Sequence, residues 1–336
     1  MRSVQLLAAT ALAIALSVTS AAAQKKYDIG ATDTEIKIGQ TVPFSGPASA
    51  YAGIGKTQAA YMKMINDQGG INGRKLNLIQ YDDAYSPPKA VEQVRKLVEG
   101  DEVLFTFQII GTPSNAAVQK YLNARKVPQL LASTGASRFS DPQNAPWTIA
   151  FNPNYQSEGR IYAKYILANH PNAKIGIFYQ NDDLGRDYIA GLKSGLGDKA
   201  ASMIVAEVSY ELTDPTVDSQ IVKLKAASVD LLYDASTPKF AAQAIRNAGK
   251  IDDVKVFASG EGSQLDCDQV TSGNFSKFLS YKATEQGHDL MFAAETLLMS
   301  GDKPGTKNLS YYTRPIWIDK SNASLGGTCF ALPKKN

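Results

Sequence analysis

A short apolar run of strand character followed by a run with helical spacing, repeated along most of the chain, constrains this sequence more than any other feature. Glu35-Ile-Lys-Ile-Gly-Gln-Thr-Val42 alternates as a strand, a turn at 43–47 follows, and Ile54, Tyr61 and Ile65 then share one helical face that Gly69-Gly70 terminates. Residues 76–81 form the next strand. After them come Asp82-Asp83, Ser86 as an N-cap ahead of two prolines, and a helix carrying Val91, Val94 and Val98. Two short apolar runs, 103–109 and 127–131, flank a helix that Ser114 is placed to cap and that ends near Ala124. Strands joined by helices need crossover connections, and crossovers make a parallel sheet.

The pattern begins again at 147–151. It continues through a helix bearing Ile161, Tyr165 and Ala168, a strand at 174–179, and an alternating set whose strands fall at 203–208, 229–233 and 254–258. Asn181-Asp182-Asp183 follows its strand as Asp82-Asp83 follows Tyr81. The chain is therefore expected to build two α/β lobes, each a doubly wound parallel sheet, joined by hinge crossovers. Residues 24–140 form the first lobe, with a later segment within 270–300 returning to it. Residues 141–265 form the second, together with part of 301–336. The polar, Pro-containing stretch 135–146 is the expected crossing.

A chain of 336 residues with 44% hydrophobic content can bury two such cores. Its 35 basic residues against 32 acidic ones, with no basic block, give no field suited to nucleic acid. His170 and His288 stand where capping or surface roles explain them, and no P-loop, G-x-G-x-x-G or G-x-S-x-G order appears, so neither catalysis nor a cofactor is expected. Asp182 and Asp183 read as turn chemistry, not as a cation site. At the N-terminus, Arg2, an apolar run over 6–18 and Ala21-Ala22-Ala23 read as a signal peptide over 1–23. That run is about 13 residues where a span needs roughly 20, so an exported, periplasmic protein is expected. An oxidising compartment permits Cys267 and Cys329 to pair, with two free buried thiols as the alternative.

In open parallel sheets ligands sit beyond the carboxyl ends of the strands, and two facing lobes make a closable cleft. The loops there are Gly111-Thr112-Pro113-Ser114-Asn115 and Ala132-Ser133-Thr134-Gly135. Their hydroxyls and backbone amides suit a carboxylate, although Ser and Thr at helix starts are also ordinary caps. Glu261, just past a strand, is placed to meet an ammonium or to sit solvated in its loop.

Residues 36–46, Gly69-Gly-Ile-Asn-Gly-Arg-Lys75, Ile79-Gln-Tyr-Asp-Asp83 and Tyr179-Gln-Asn-Asp-Asp-Leu-Gly185 together resemble the branched-chain amino-acid-binding (leucine-binding) type of type I periplasmic binding protein, from about Glu35 to Glu261. The resemblance implies the substrate-binding component of an ABC transporter, a Venus flytrap that traps a solute and delivers it to a membrane permease, with a monomer expected. It implies a ligand carboxylate held at Gly111, Thr112, Ala132, Ser133 and Thr134, an aromatic contact from Tyr51, second-lobe contacts from Leu184 and Ser236, and an ammonium bound by Glu261. Two features depart from the type. Residues 234–237 read Asp-Ala-Ser-Thr where tyrosine is usual, and the tail beyond Glu261 is compact, closing with Pro315-Ile-Trp-Ile-Asp-Lys-Ser-Asn322. The expected solute is a hydrophobic amino acid or related small carboxylate, with an aromatic or other organic acid as the alternative. A ligand-sensing domain of a regulatory system is the reading from a different class.

Overall fold

The computed structural model describes residues 27–248, 255–260, 264–273, 277–280 and 316–325, with single residues at 292, 296, 300 and 329. The expected signal peptide, Glu261, His288 and most of the tail lie outside the described residues.

The first sheet is built from β1 (Glu35–Val42), β2 (Lys75–Asp82), β3 (Phe105–Phe107), β4 (Gln129–Ala132) and β5 (Thr148–Ala150), all parallel, in the order β2-β1-β3-β4-β5. Between them run α1 (Ala52–Asp67), α2 (Pro87–Arg95), extended by a π-helical turn at Lys96–Gly100, and α3 (Thr112–Arg125). The alternation in β1 does what the pattern predicts: Ile36 and Ile38 are buried against Met62 of α1 and against Phe105 and Phe107 of β3. Full burial of such side chains contributes roughly 1.5–3 kcal/mol each. The opposite face packs Ala90 and Val94 of α2 with Val118 and Leu122 of α3.

The second sheet contains β6 (Ile175–Gln180), β7 (Ile204–Tyr210), β8 (Leu231–Ala235), β9 (Lys255–Gly260), β10 (Lys277–Ser280) and β11 (Ile316–Ile318), in the order β11-β10-β9-β8-β6-β7. Only β11 is antiparallel among the described strands. Its helices are α4 (Tyr155–Asn169), α5 (Asp183–Leu196), the one-turn α6 (Ala200–Met203), α7 (Asp218–Ala226), α8 (Pro238–Ala248) and α9 (Gln264–Thr271). Asn154 caps α4 by accepting from the Gln156 and Ser157 amides. α4 and α5 pack backbone to backbone. A Cβ on Gly159 would lie 2.6 Å from the Leu192 amide nitrogen, and one on Gly191 would lie 2.2 Å from the Gln156 carbonyl oxygen. Only glycine permits that approach.

Three sequence expectations change. Thr148–Ala150, expected to open the second lobe, is instead the fifth strand of the first sheet, because it pairs in parallel with β4. The crossing stretch 135–146 therefore returns to its own sheet, and the chain passes to the second lobe at 151–154. Within 270–300, β10 belongs to the second sheet through its parallel pairing with β9, not to the first. Ser114 does not cap α3: Gly111 holds the N-cap position at φ 101°. Cys267 and Cys329 are joined, with their Cα atoms 6.2 Å apart, and pack with Val270, Phe278 and Ile318. Among the described residues no helix is long and apolar enough to cross a membrane.

Candidate functional site

Strand order locates the crevice. In the first sheet the chain leaves β1 for β2 on one side and returns to β3 on the other. In the second, β6 has β7 on one side and β8 on the other. Such reversals open a crevice at the strands' carboxyl ends, where helix N-termini offer unpaired amides. In these lobes that places the ends of β1 and β3 opposite the ends of β6 and β8.

On the first lobe, the structure brings together the expected carboxylate loops. Thr112 and Thr134, both buried, join through hydroxyls 2.8 Å apart. The Thr134 hydroxyl also accepts from the Ala136 amide at 3.1 Å. Other expected donors are already engaged within the protein. The Gly111 amide donates to the Ser133 carbonyl, the Ser133 amide to the Ile109 carbonyl, and the Thr134 amide to the Ala132 carbonyl. Ala132 is fully buried and its carbonyl also takes the Phe151 amide, so Gly111, Ala132 and Ser133 shape the wall, and the threonine hydroxyls supply its polarity. Tyr51 ends the 3-10 turn before α1 and packs with Val42, Ile54 and Ile110 at the rim.

On the second lobe, the Leu184 amide donates to Asp182, and its side chain packs against the lobe's own core. Ser236 is half-buried beside Asp234, with its hydroxyl 3.5 Å from the Thr237 carbonyl. Leu184 and Ser236 are therefore close to the crevice without dominating it. A continuous chain of hydrogen bonds does: the Tyr210 hydroxyl donates to Gln180 at 3.1 Å and accepts from the Thr237 amide at 2.9 Å, and Gln180 donates to Asp182 at 2.6 Å. Burial pushes the Asp182 carboxyl up to about 6, against the lowering effect of Gln180 and the α5 amides. Burial likewise pushes Asp234 up to about 7, only partly offset by the Ser236 hydroxyl and amide. Both Asp234 oxygens are hidden from water.

Two tyrosines cross between the lobes. Tyr155, at the start of α4, stacks on Tyr188 with ring centroids 4.6 Å apart. Burial raises its phenol, while the Gly135 backbone and the Thr112 and Thr134 hydroxyls of the first lobe favour the charged form. Tyr85, three residues past the end of β2, is 2% exposed; its phenol is raised by burial and by the charge of Asp182, with Gln180 acting in the opposite direction. Its ring lies 6.4 Å from that of Tyr51. Sequence reasoning missed Tyr85, Tyr155, Gln180, Tyr210 and Asp234, and assigned Asp182 only to a turn. Asp182 does both: it caps α5 and lies in the crevice. The signal available was position, since Gln180, Tyr210 and Asp234 all sit at or next to the carboxyl end of a strand. None of these lining side chains carries a positive charge. Among the described residues, no group of three His, Cys, Asp or Glu side chains could hold a metal ion.

Comparison with known proteins agrees with this fold. The leucine-, isoleucine-, valine-, threonine- and alanine-binding protein of Pseudomonas aeruginosa is 26% identical over 208 residues, covering 60% of this chain and 54% of that protein. The match thus spans little more than half the length of that relative. A substrate-binding periplasmic protein of Ralstonia solanacearum superposes with a TM-score of 0.67 at 22% identity, covering 87% of this chain and 95% of that one. A solute-binding protein of an ABC transporter from Rhodopseudomonas palustris, solved with 3,4-dihydroxybenzoic acid, gives 0.66 at 19% identity, covering 86% and 90%. Both superpositions establish the fold. The family model described as periplasmic binding protein matches residues 35–264, most of the chain and nearly all of both crevice walls, and the chain belongs to that family.

Proposed function

We propose that this chain is the extracytoplasmic solute-binding receptor of an ABC importer, exported by its N-terminal 23 residues, working as a monomer, and holding a small carboxylate between its lobes for delivery to a permease. The observation that carries this reading is the buried Thr112–Thr134 hydroxyl pair at the switch crevice of the first sheet, facing the second lobe across Tyr155. Two hydroxyls beside the N-terminus of α3 can clasp a carboxylate without a full opposite charge. The protein binds and releases its solute unchanged.

The first solute class is a hydrophobic amino acid of the branched-chain type. Its ammonium would face the second lobe, where Asp182 stands and where Glu261 is placed by sequence. A second class, an aromatic carboxylate, is favoured by the tyrosines at the crevice, Tyr51, Tyr85, Tyr155 and Tyr210. Isothermal titration of the mature protein with leucine, isoleucine, valine and substituted benzoates separates the two. Thr112→Val with Thr134→Val is expected to weaken whichever carboxylate binds by at least tenfold, about 1.4 kcal/mol. Unchanged affinity in the double variant would remove the pair from the site.

A further inference from the structure

Tyr85 occupies an unusual position for a side chain of its size. Ala84 and Tyr85 both adopt left-handed backbone, at φ 50° and 59°, a conformation that residues with a Cβ seldom take once, let alone twice in succession. Asp83 stabilises this bend: buried itself, it accepts the Tyr85 amide at 2.9 Å and the Thr41 hydroxyl at 2.8 Å. The bend sends the Tyr85 ring inward. It lies directly on Gly111, so close that a Cβ there would sit 2.2 Å from Cε2 of the ring. Gly111 is thus the floor under a six-membered ring, in the loop that the carboxylate clasp belongs to. The phenol end reaches the second lobe, where Gln180 hydrogen-bonds to it and Asp182 and Tyr210 are near enough to act on its charge. Those three are already linked to one another by hydrogen bonds, so the second lobe presents a ready-made seat for a hydroxyl.

We propose that Tyr85 is a resident occupant of the interlobe site, a p-hydroxyphenyl group of the first lobe held in the place of the ligand, and that the solute displacing it is an aromatic carboxylate with a hydroxyl on its ring. The assignment rests on the carboxylate-receptor reading and narrows its second solute class. A solute that replaces Tyr85 must restore what the ring supplies: apolar cover for Gly111 and a hydroxyl at Gln180. Its carboxylate then falls to the threonine pair. A branched aliphatic side chain covers the glycine and leaves the hydroxyl seat unmatched, which is costly for buried polar groups. Residency also links the lobes in the ligand-free protein, so binding exchanges one interlobe contact for another.

Tyr85→Phe and Tyr85→Ala test both halves, the first chosen because it keeps the ring and the fold. In titrations with 4-hydroxybenzoate, benzoate and leucine, the wild type is expected to prefer 4-hydroxybenzoate over benzoate by at least tenfold. Both variants are expected to bind it at least fivefold more tightly with the same preference, since the competitor is weakened and the seat at Gln180 is kept. Equal or weaker binding in both variants overturns residency while leaving the receptor reading intact. Small-angle scattering of the ligand-free proteins reads residency without any solute: the alanine variant should show a larger radius of gyration than wild type, and identical profiles count against it. If the alanine variant expands but no carboxylate binds any of the three proteins, the receptor reading and the solute class fall and the resident ring stands. If leucine binds at least as tightly as 4-hydroxybenzoate, the solute class falls alone.

Discussion

The two walls of the crevice are built from opposite materials. The first lobe offers small groups, Gly111, Thr112, Ser133 and Thr134, whose backbone amides are largely spent within the lobe and whose threonine hydroxyls are paired. The second offers large or ionisable ones, Gln180, Asp182, Tyr210 and Asp234, two of them with carboxyls displaced upward by burial. The first wall costs the fold little, because its polar groups satisfy one another. The second holds carboxyls where ionisation is opposed, a cost that folded proteins keep chiefly at functional sites. Under the proposed receptor function, the first wall would fix where a ligand sits and the second which ligand is accepted.

The lobes also differ in how they are secured, and this difference predicts the largest effect. Both cysteines of the chain lie in the second lobe, where the Cys267–Cys329 bond closes a separation of 62 residues. Replacing both by serine should lower stability by roughly 2–4 kcal/mol by chain-entropy reasoning. Hydrogen exchange should locate the loss at α9, β10 and β11. Equal loss of protection in the first sheet would mean that the lobes unfold as one unit.

On the first wall, Gly111→Ala should cost roughly 1–3 kcal/mol, since it places a Cβ at φ 101° and against the Tyr85 ring. Chemical denaturation of Gly111→Ala, Tyr85→Ala and the double variant separates the two causes. A double variant better than the sum of the single losses shows that the clash dominates; strict additivity shows that backbone strain does.

The effect at the second wall depends on pH. Asp234 has a folded pKa of about 7, above its ordinary 3.8, so its contribution is fully present below pH 3.8 and is lost as pH rises through 7. Asp234→Asn keeps the neutral shape. Its melting temperature should exceed that of wild type by a few degrees at pH 8 and converge with it near pH 4. A constant difference across that range would show that Asp234 does not titrate in this window. Wild-type behaviour at every pH would make the two walls electrostatically alike.

Much of the architecture was legible in the sequence because burial imposes a period. Ile36 and Ile38 announce their strand, Val91 and Val94 their helix, and repeated strand-helix order implies parallel sheets. The lobe boundary was not legible at Thr148–Ala150, since an apolar triplet carries no record of which neighbour it will pair with; pairing with β4 is decided across the crossing stretch. Gly111, Thr112 and Thr134 stood out in the sequence as small polar loop residues past strand ends, and the family resemblance marked the same positions. Tyr85 did not, because its importance comes from a left-handed bend and a ring laid on a glycine 26 positions away.

What the sequence by itself determined is local and periodic: strands, helices, the doubly wound layering, and the small polar loops at the strand ends. These follow from side-chain spacing and backbone preference, which act over a few residues. Only the tertiary structure decided which strands share a sheet, that Cys267 meets Cys329, that Tyr155 reaches the two threonines, and that Tyr85 reaches Gln180. Those outcomes depend on contacts between residues far apart in the chain. Their energy exists only when both partners have been carried to the same place, and no stretch of sequence records that alone.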